Sequence, residues 1–284
     1  MIRYACLMMA LLATPALSAP MVEWDGIAKT YYVQGLTLRL SAHKDSPGRP
    51  IPTLTISASG SSRVEVNGEA GFDNAMASFG VGWFDPKAPK PQVEFATYTG
   101  GAHCCTKISV IERVRNSWKE VSLGEWDGDV PDRLFTDVDG DGIPDFVSDD
   151  NEFLYAFDSY SGSFPPPKIL NVIGGKVSDV SKARRYAKIY RDAMTEDEPR
   201  CFSGSNGACA GYVANAARLG KFEAAWKFML MHYNHHSNWV YPTRCTGPIT
   251  NGSCKGQELK PRDYPQALMW FLEDNDYISK QAGN

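Results

Sequence analysis

The stretch Leu134-Phe135-Thr136-Asp137-Val138-Asp139-Gly140-Asp141-Gly142-Ile143-Pro144-Asp145-Phe146-Val147 decides how this chain is read. Its ends have the apolar character of strands, and between them four aspartates alternate with small or turn-forming residues. A packed core has no use for spaced carboxylates, which repel one another when brought close. A hard cation does: calcium takes six to eight oxygen ligands, and a tight turn aims alternate side chains inward. Gly140 and Gly142 permit that turn. The stretch predicts a calcium loop joining two strands. An EF-hand would place a glutamate eleven residues after the first aspartate, where this chain has Ser148.

The pattern D-x-D-G-D-G-x-x-D between strands resembles the FG-GAP or VCBS-type repeat of integrin-like propellers, here in a single copy. The resemblance implies side-chain ligands from Asp137, Asp139, Asp141 and Asp145, with the carbonyl of Ile143 added. The ion it implies, Ca2+, has a structural role: it neutralises a loop that would otherwise be disordered. Asp127, Asp129, Asp149 and Asp150 lie close by in sequence; one of them could complete the shell, and the preferred reading is that they are surface acids.

Outward from the loop, the chain up to about residue 178 reads as β. Tyr31-Tyr32-Val33, Leu36-Thr37-Leu38-Arg39-Leu40 and Thr53-Leu54-Thr55-Ile56-Ser57 alternate with period two. Val93 to Tyr98, Lys107 to Ile111 and Phe153 to Phe157 read as further strands, and Arg115-Asn116-Ser117 as a hairpin turn. Beyond Val180 the period becomes helical. Ser181 is expected to cap a helix running to about Arg191. A helical hairpin is expected over 208–219 and 222–233 with Gly220 as its stop, and a last helix over 264–273. The fold class is therefore α+β: an antiparallel β domain over 19–178, propeller-like or sandwich-like, then a small disulfide-stapled helical domain over 179–284.

Residues 1–18 have the order of a secretory signal: Arg3, an apolar run from Tyr4 to Ala13, then small residues around Ala16 and Ser18. That run is too short to span a bilayer. The mature chain is expected to be periplasmic or secreted, without a transmembrane segment. A formal net charge of −4 gives no basic footprint for nucleic acid. Beyond Cys6 there are six cysteines, an even number, which in an exported protein reads as disulfides. Local spacing suggests Cys201 with Cys209 and Cys245 with Cys254. Cys104 and Cys105 either form a vicinal bridge, strained because adjacent Cα atoms are only about 3.8 Å apart, or each pair with a distant partner.

The string Tyr98-Thr99-Gly100-Gly101-Ala102-His103-Cys104-Cys105 is the second unusual feature. His103, Cys104 and Cys105 form a candidate ligand site: a metal or acid-base site in the sharp reading, a disulfide-held strand end in the bland one. The bland reading is preferred because oxidised cysteines are neither nucleophiles nor thiolate ligands. Between the two lies a flat apolar floor for a ligand. His232 and His236 stand four apart, the spacing of two ligands on one helix face, but HExxH is absent and histidines at a helix C-terminus also complement its dipole, which is the preferred reading. The His103 string, with Phe157-Asp158-Ser159-Tyr160 and Asn206-Gly207-Ala208-Cys209, resembles a set of uncharacterised exported proteins of proteobacteria. That resemblance covers most of the chain and brings no activity with it. No G-x-S-x-G, P-loop or dinucleotide fingerprint occurs. The leading expectation is a non-catalytic envelope protein that binds another envelope protein or a glycan. The alternative is an envelope hydrolase acting on glycan or peptide in a cleft between the domains.

Overall fold

The computed structural model describes residues 20–60, 62–71, 76–100, 105–115, 117–127, 133–250 and 252–280. The expected leader, His103, Cys104 and Asp129 lie outside these.

β1 (Val22–Glu23) is short, and a meander follows: β2 (Lys29–Val33), β3 (Leu36–Lys44), β4 (Pro50–Ala58) and β5 (Val64–Asn67) pair in that order as one sheet. A second meander contains β6 (Ala77–Gly82), β7 (Gln92–Tyr98), β8 (Thr106–Val114) and β9 (Ser117–Trp126), with β1 on the free edge of β6. The third contains β10 (Phe135–Thr136), β11 (Asp145–Asp149), β12 (Pro167–Ile173) and β13 (Lys176–Asp179). Every pairing within these sheets is antiparallel.

The three sheets stack. Leu36, Leu38, Leu40, Leu54 and Ile56 of the first pack on Phe79, Val81, Val93, Phe95 and Ile111 of the second. The opposite face of the second sheet presents Ala96, Ile108, Val110, Val121 and Leu123 to Phe135, Phe146, Leu170 and Val172 of the third. The middle sheet is thus covered on both faces. This is why β7 reads as a nearly unbroken buried run rather than an alternation. Each such buried aliphatic or aromatic side chain contributes about 1.5–3 kcal/mol.

Double coverage obliges the polar residues of the middle sheet to find partners inside. Gln92 accepts the N–H groups of Phe84 and Asp85 at 2.7 and 2.9 Å and donates to Glu112 Oε2 at 2.9 Å. Glu94 is the exception. It is fully buried and neither carboxylate oxygen has a hydrogen-bond donor. Burial pushes its carboxyl up to about 8, while the charge of Arg133 pulls it down. Its room comes from Gly80 across the ladder, where a Cβ would lie 2.0 Å from Glu94 Oε1.

Four helices follow: α1 (Ala187–Phe202), α2 (Asn206–Arg218), α3 (Phe222–His232) and α4 (Tyr264–Asp274). Four two-residue strands lie between α3 and α4: β14 (Arg244–Cys245), β15 (Ile249–Thr250), β16 (Ser253–Cys254) and β17 (Glu258–Leu259). Ser205 caps α2, Asp263 caps α4, and Gly220 at φ +69° closes the turn from α2 into α3. The first helix starts later than expected. The Ser181 hydroxyl accepts the N–H of Ile169 at 2.9 Å, tying the chain to β12, and α1 begins at Ala187. The expected disulfides Cys201–Cys209 and Cys245–Cys254 are formed.

The stretch Phe153 to Phe157 is not a strand. It begins in the single turn Asn151–Phe153, and Phe153, Ala156 and Phe157 are buried among the helices. After that turn Leu154 is extended and Tyr155 has φ +59°, and Phe153 and Phe157 both meet Phe271 of α4 edge-on. The connection 151–166 is therefore an arm reaching from the third sheet into the helical cluster. Gly207 and Gly211 of α2 let its backbone come close: a Cβ at either would sit 2.0 or 2.1 Å from the carbonyl oxygen of Gly162 or Phe164. Among the described residues no helix is long and apolar enough to cross a membrane.

Candidate metal centre

The loop 137–145 hangs between β10 and β11, whose register pairs Thr136 with Asp145. Positive φ at Gly140 and Gly142, +80° and +85°, folds it back on itself. Backbone N–H groups then converge on the aspartates. Asp137 Oδ1 accepts from Gly140 at 2.8 Å and from Asp141 at 3.1 Å, and its Oδ2 accepts from Gly142 at 2.9 Å. Asp145 Oδ2 accepts from Val138 at 3.1 Å. The result brings one oxygen each of Asp137, Asp139 and Asp145 within 4.8 Å of one another. The carboxylate of Asp141 turns instead to the N–H of Ile143 at 2.8 Å.

Asp145 is the anchored member. Tyr186 donates to its Oδ1 at 2.5 Å and Asn171 Nδ2 at 2.7 Å. Burial raises the Asp145 carboxyl above the ordinary range, and these hydrogen bonds pull it back toward ionisation. Tyr186, buried and donating to that carboxylate, is held well above the usual phenol range. Arg185, the residue before it, forms ion pairs with Asp139 and, at 3.7 Å, with Asp141.

The donor set fits a divalent cation. Four carboxylates face one guanidinium, which leaves the loop strongly negative. Asp139 has a side chain only 1% exposed, and the Arg185 guanidinium meets its Oδ2. One guanidinium offsets one of the four carboxylates, and closely set carboxylates without a further cation repel one another. All-oxygen donors select calcium or magnesium over softer metals. Bound there, the ion would supply charge neutralisation; the chain itself fixes the oxygens through the N–H groups named above.

Other residues singled out in the sequence fall elsewhere. Cys105 is disulfide-bonded, and its N–H donates to Thr99 Oγ1 at 3.0 Å. Asp150 is not a surface acid. It is buried and accepts from Tyr277 at 2.8 Å, with Lys168 at 3.5 Å. α3 stops at His232, so His236 does not share its face. The ring of His232 packs against Phe202 and Phe228 at 4.7 and 4.5 Å between centroids. Sequence reasoning missed Arg185, Tyr186 and Asn171, whose sequence context carries no metal signal; only the fold delivers them to the loop.

Fold and site together define an α+β protein of three stacked antiparallel sheets, with an acidic inter-strand loop held by the start of a disulfide-stapled helical region. Residues 181–276 match the family described as the sll0997 C-terminal domain. The chain is similar to a probable thylakoid lumen protein, sll0997, of Synechocystis, with 37% identity over 202 residues covering 68% of this chain and 58% of that one. It is also similar to the uncharacterized protein y4bJ of Sinorhizobium fredii, with 28% identity over 280 residues covering 94% of this chain and 44% of that one. The chain thus spans about half the length of the curated relatives it matches. No solved structure matches it.

Proposed function

We propose that this chain is an exported, calcium-binding protein of the cell envelope, acting as a non-catalytic binding module. The observation that carries the calcium reading is the convergence of one oxygen each of Asp137, Asp139 and Asp145 to within 4.8 Å of one another, with the single guanidinium of Arg185 beside the loop. The loop is read as a single FG-GAP or VCBS-type calcium clip whose ion is structural. Export is supported by the leader-like order of residues 1–18 and by paired cysteines, which persist in oxidising compartments. The lumenal name of the Synechocystis relative agrees with an exported role.

Calcium bound to the folded state alone stabilises it by mass action. A site with Kd of about 10⁻⁴ M gains about 2 kcal/mol at about 5 mM calcium. The melting temperature is expected to rise by about 5 °C over the chelated protein, and Asp139→Ala is expected to abolish the rise. Identical melts of the wild type with calcium and with chelator would refute the reading.

A further inference from the structure

A cavity of about 480 Å³ opens beside α3 and α4, away from the acidic loop. Its apolar walls are Trp226 of α3 and Met269 and Trp270 of α4. Among the described residues the tryptophans divide sharply. Trp24, Trp118, Trp126 and Trp239 each donate their indole N–H to a backbone carbonyl. Trp83, Trp226 and Trp270 have no protein acceptor for theirs, and the last two both line this cavity. An indole ordinarily finds a partner for its N–H where it packs. Here two indoles whose N–H groups have no protein acceptor line one space, Trp226 backed by Phe222 and Trp270 by Arg244.

The polar lining is fixed and charge-balanced. Arg244 sits next to Cys245 of the Cys245–Cys254 bridge, lies over the Trp270 ring at 5.3 Å, and pairs with Glu273 at 2.6 Å and Asp274 at 2.9 Å. Arg262 and Asp263 also line the cavity, 3.5 Å apart. The walls therefore hold two guanidinium groups and the two carboxylates of Asp263 and Glu273, for no net charge. A strongly anionic or cationic ligand gains little from such walls, because each wall charge already has an opposite neighbour. A sugar ring suits them. Its hydroxyls both donate and accept, matching guanidinium donors and carboxylate acceptors side by side. Its C–H face is apolar and lies flat against an indole, and the volume is within the range of small-ligand sites.

We propose that this cavity is a binding site for a neutral oligosaccharide, with Trp226 and Trp270 as stacking platforms. The proposal rests on the binding-module reading and names what the module takes. It does not depend on calcium, so the test is run both with calcium and with chelator. Chitotetraose and cellotetraose, and separately benzoate and inorganic phosphate, are titrated into the whole mature protein by calorimetry. At least one tetrasaccharide is expected to bind saturably under both conditions, and benzoate and phosphate are not. Trp270→Leu and Trp226→Leu, which keep apolar volume, are expected to weaken binding by about tenfold or more. Arg262→Ala, at a side chain 80% exposed, leaves the fold intact and is expected to weaken it about threefold or more. No binding of either tetrasaccharide at about 10 mM, saturation by benzoate or phosphate instead, or unchanged affinity in all three variants overturns the proposal. Loss of the calcium melting shift with sugar binding intact would count against the calcium reading alone.

Discussion

At the scale of single residues, Glu94 and Asp139 are opposite cases of a buried carboxylate. Asp139 stands in a group of acids and pairs with Arg185, whereas neither oxygen of Glu94, buried between two sheets, has a hydrogen-bond donor. A lone buried carboxylate reduces its cost by keeping its proton, which is why the Glu94 carboxyl is pushed up to about 8. The folded state then binds a proton that the unfolded chain has already lost. Stability contributed by that proton is full below the unfolded value of 4.5 and is lost as pH rises through about 8. Urea unfolding should show stability falling across that window, with a contribution from this site of at most about 1.4 kcal/mol per pH unit. Glu94→Gln should flatten the decline and leave the protein more stable than wild type near pH 8. The four aspartates were legible in the sequence because turn chemistry is local. Glu94 was not, since a Glu inside Val93-Glu94-Phe95 looks like the solvent side of an ordinary strand until a third sheet is known to cover that face.

At the scale of elements, period and turn signals carried most strands and helices. Leu36 to Leu40, Thr53 to Ser57 and the 222 helix lie where alternation or a 3.6-residue stripe put them. The failures share a cause. Ser181 has the chemistry of a helix cap but spends its hydroxyl on the edge of β12, and Phe153 to Phe157 has strand-like residues but is claimed by the helical cluster. In both, a tertiary partner overrides a local preference. The two glycines of α2 show the same dependence. Gly211→Ala raises helix propensity, yet its Cβ would press on the Phe164 carbonyl oxygen at 2.1 Å. The net effect should be destabilising by about 1–3 kcal/mol in denaturant titrations. The Cys201–Cys209 bridge joins the end of α1 to the first turn of α2 across only eight residues. Replacing both cysteines with serine should cost about 2–3 kcal/mol, read from the urea midpoint at constant slope.

At the scale of the molecule, the helical region is not a free appendage. Tyr186 reaches Asp145, Tyr190 donates to the Pro167 carbonyl at 3.2 Å, and Tyr277 reaches Asp150. Each of these phenols comes from the helical region and ends on the third sheet or its arm. The acidic loop lies under the first of these contacts, so a cation in the loop would fix the oxygens that Tyr186 and Arg185 grip. The loop that identified the β domain in the sequence thus also serves as part of the joint to the helices. Tyr186→Phe removes a hydrogen bond to a buried carboxylate and should lower stability by about 1.5–3 kcal/mol. In a double-mutant cycle with Asp145→Asn the two changes should couple, since they share one contact. The central claim is that the Asp137–Asp145 loop holds calcium, and titration calorimetry of the chelated, desalted mature chain with calcium chloride tests it most directly. The account predicts one saturable site per chain in the wild type and none in Asp137→Asn, whereas a titration with only dilution heat in the wild type would contradict it.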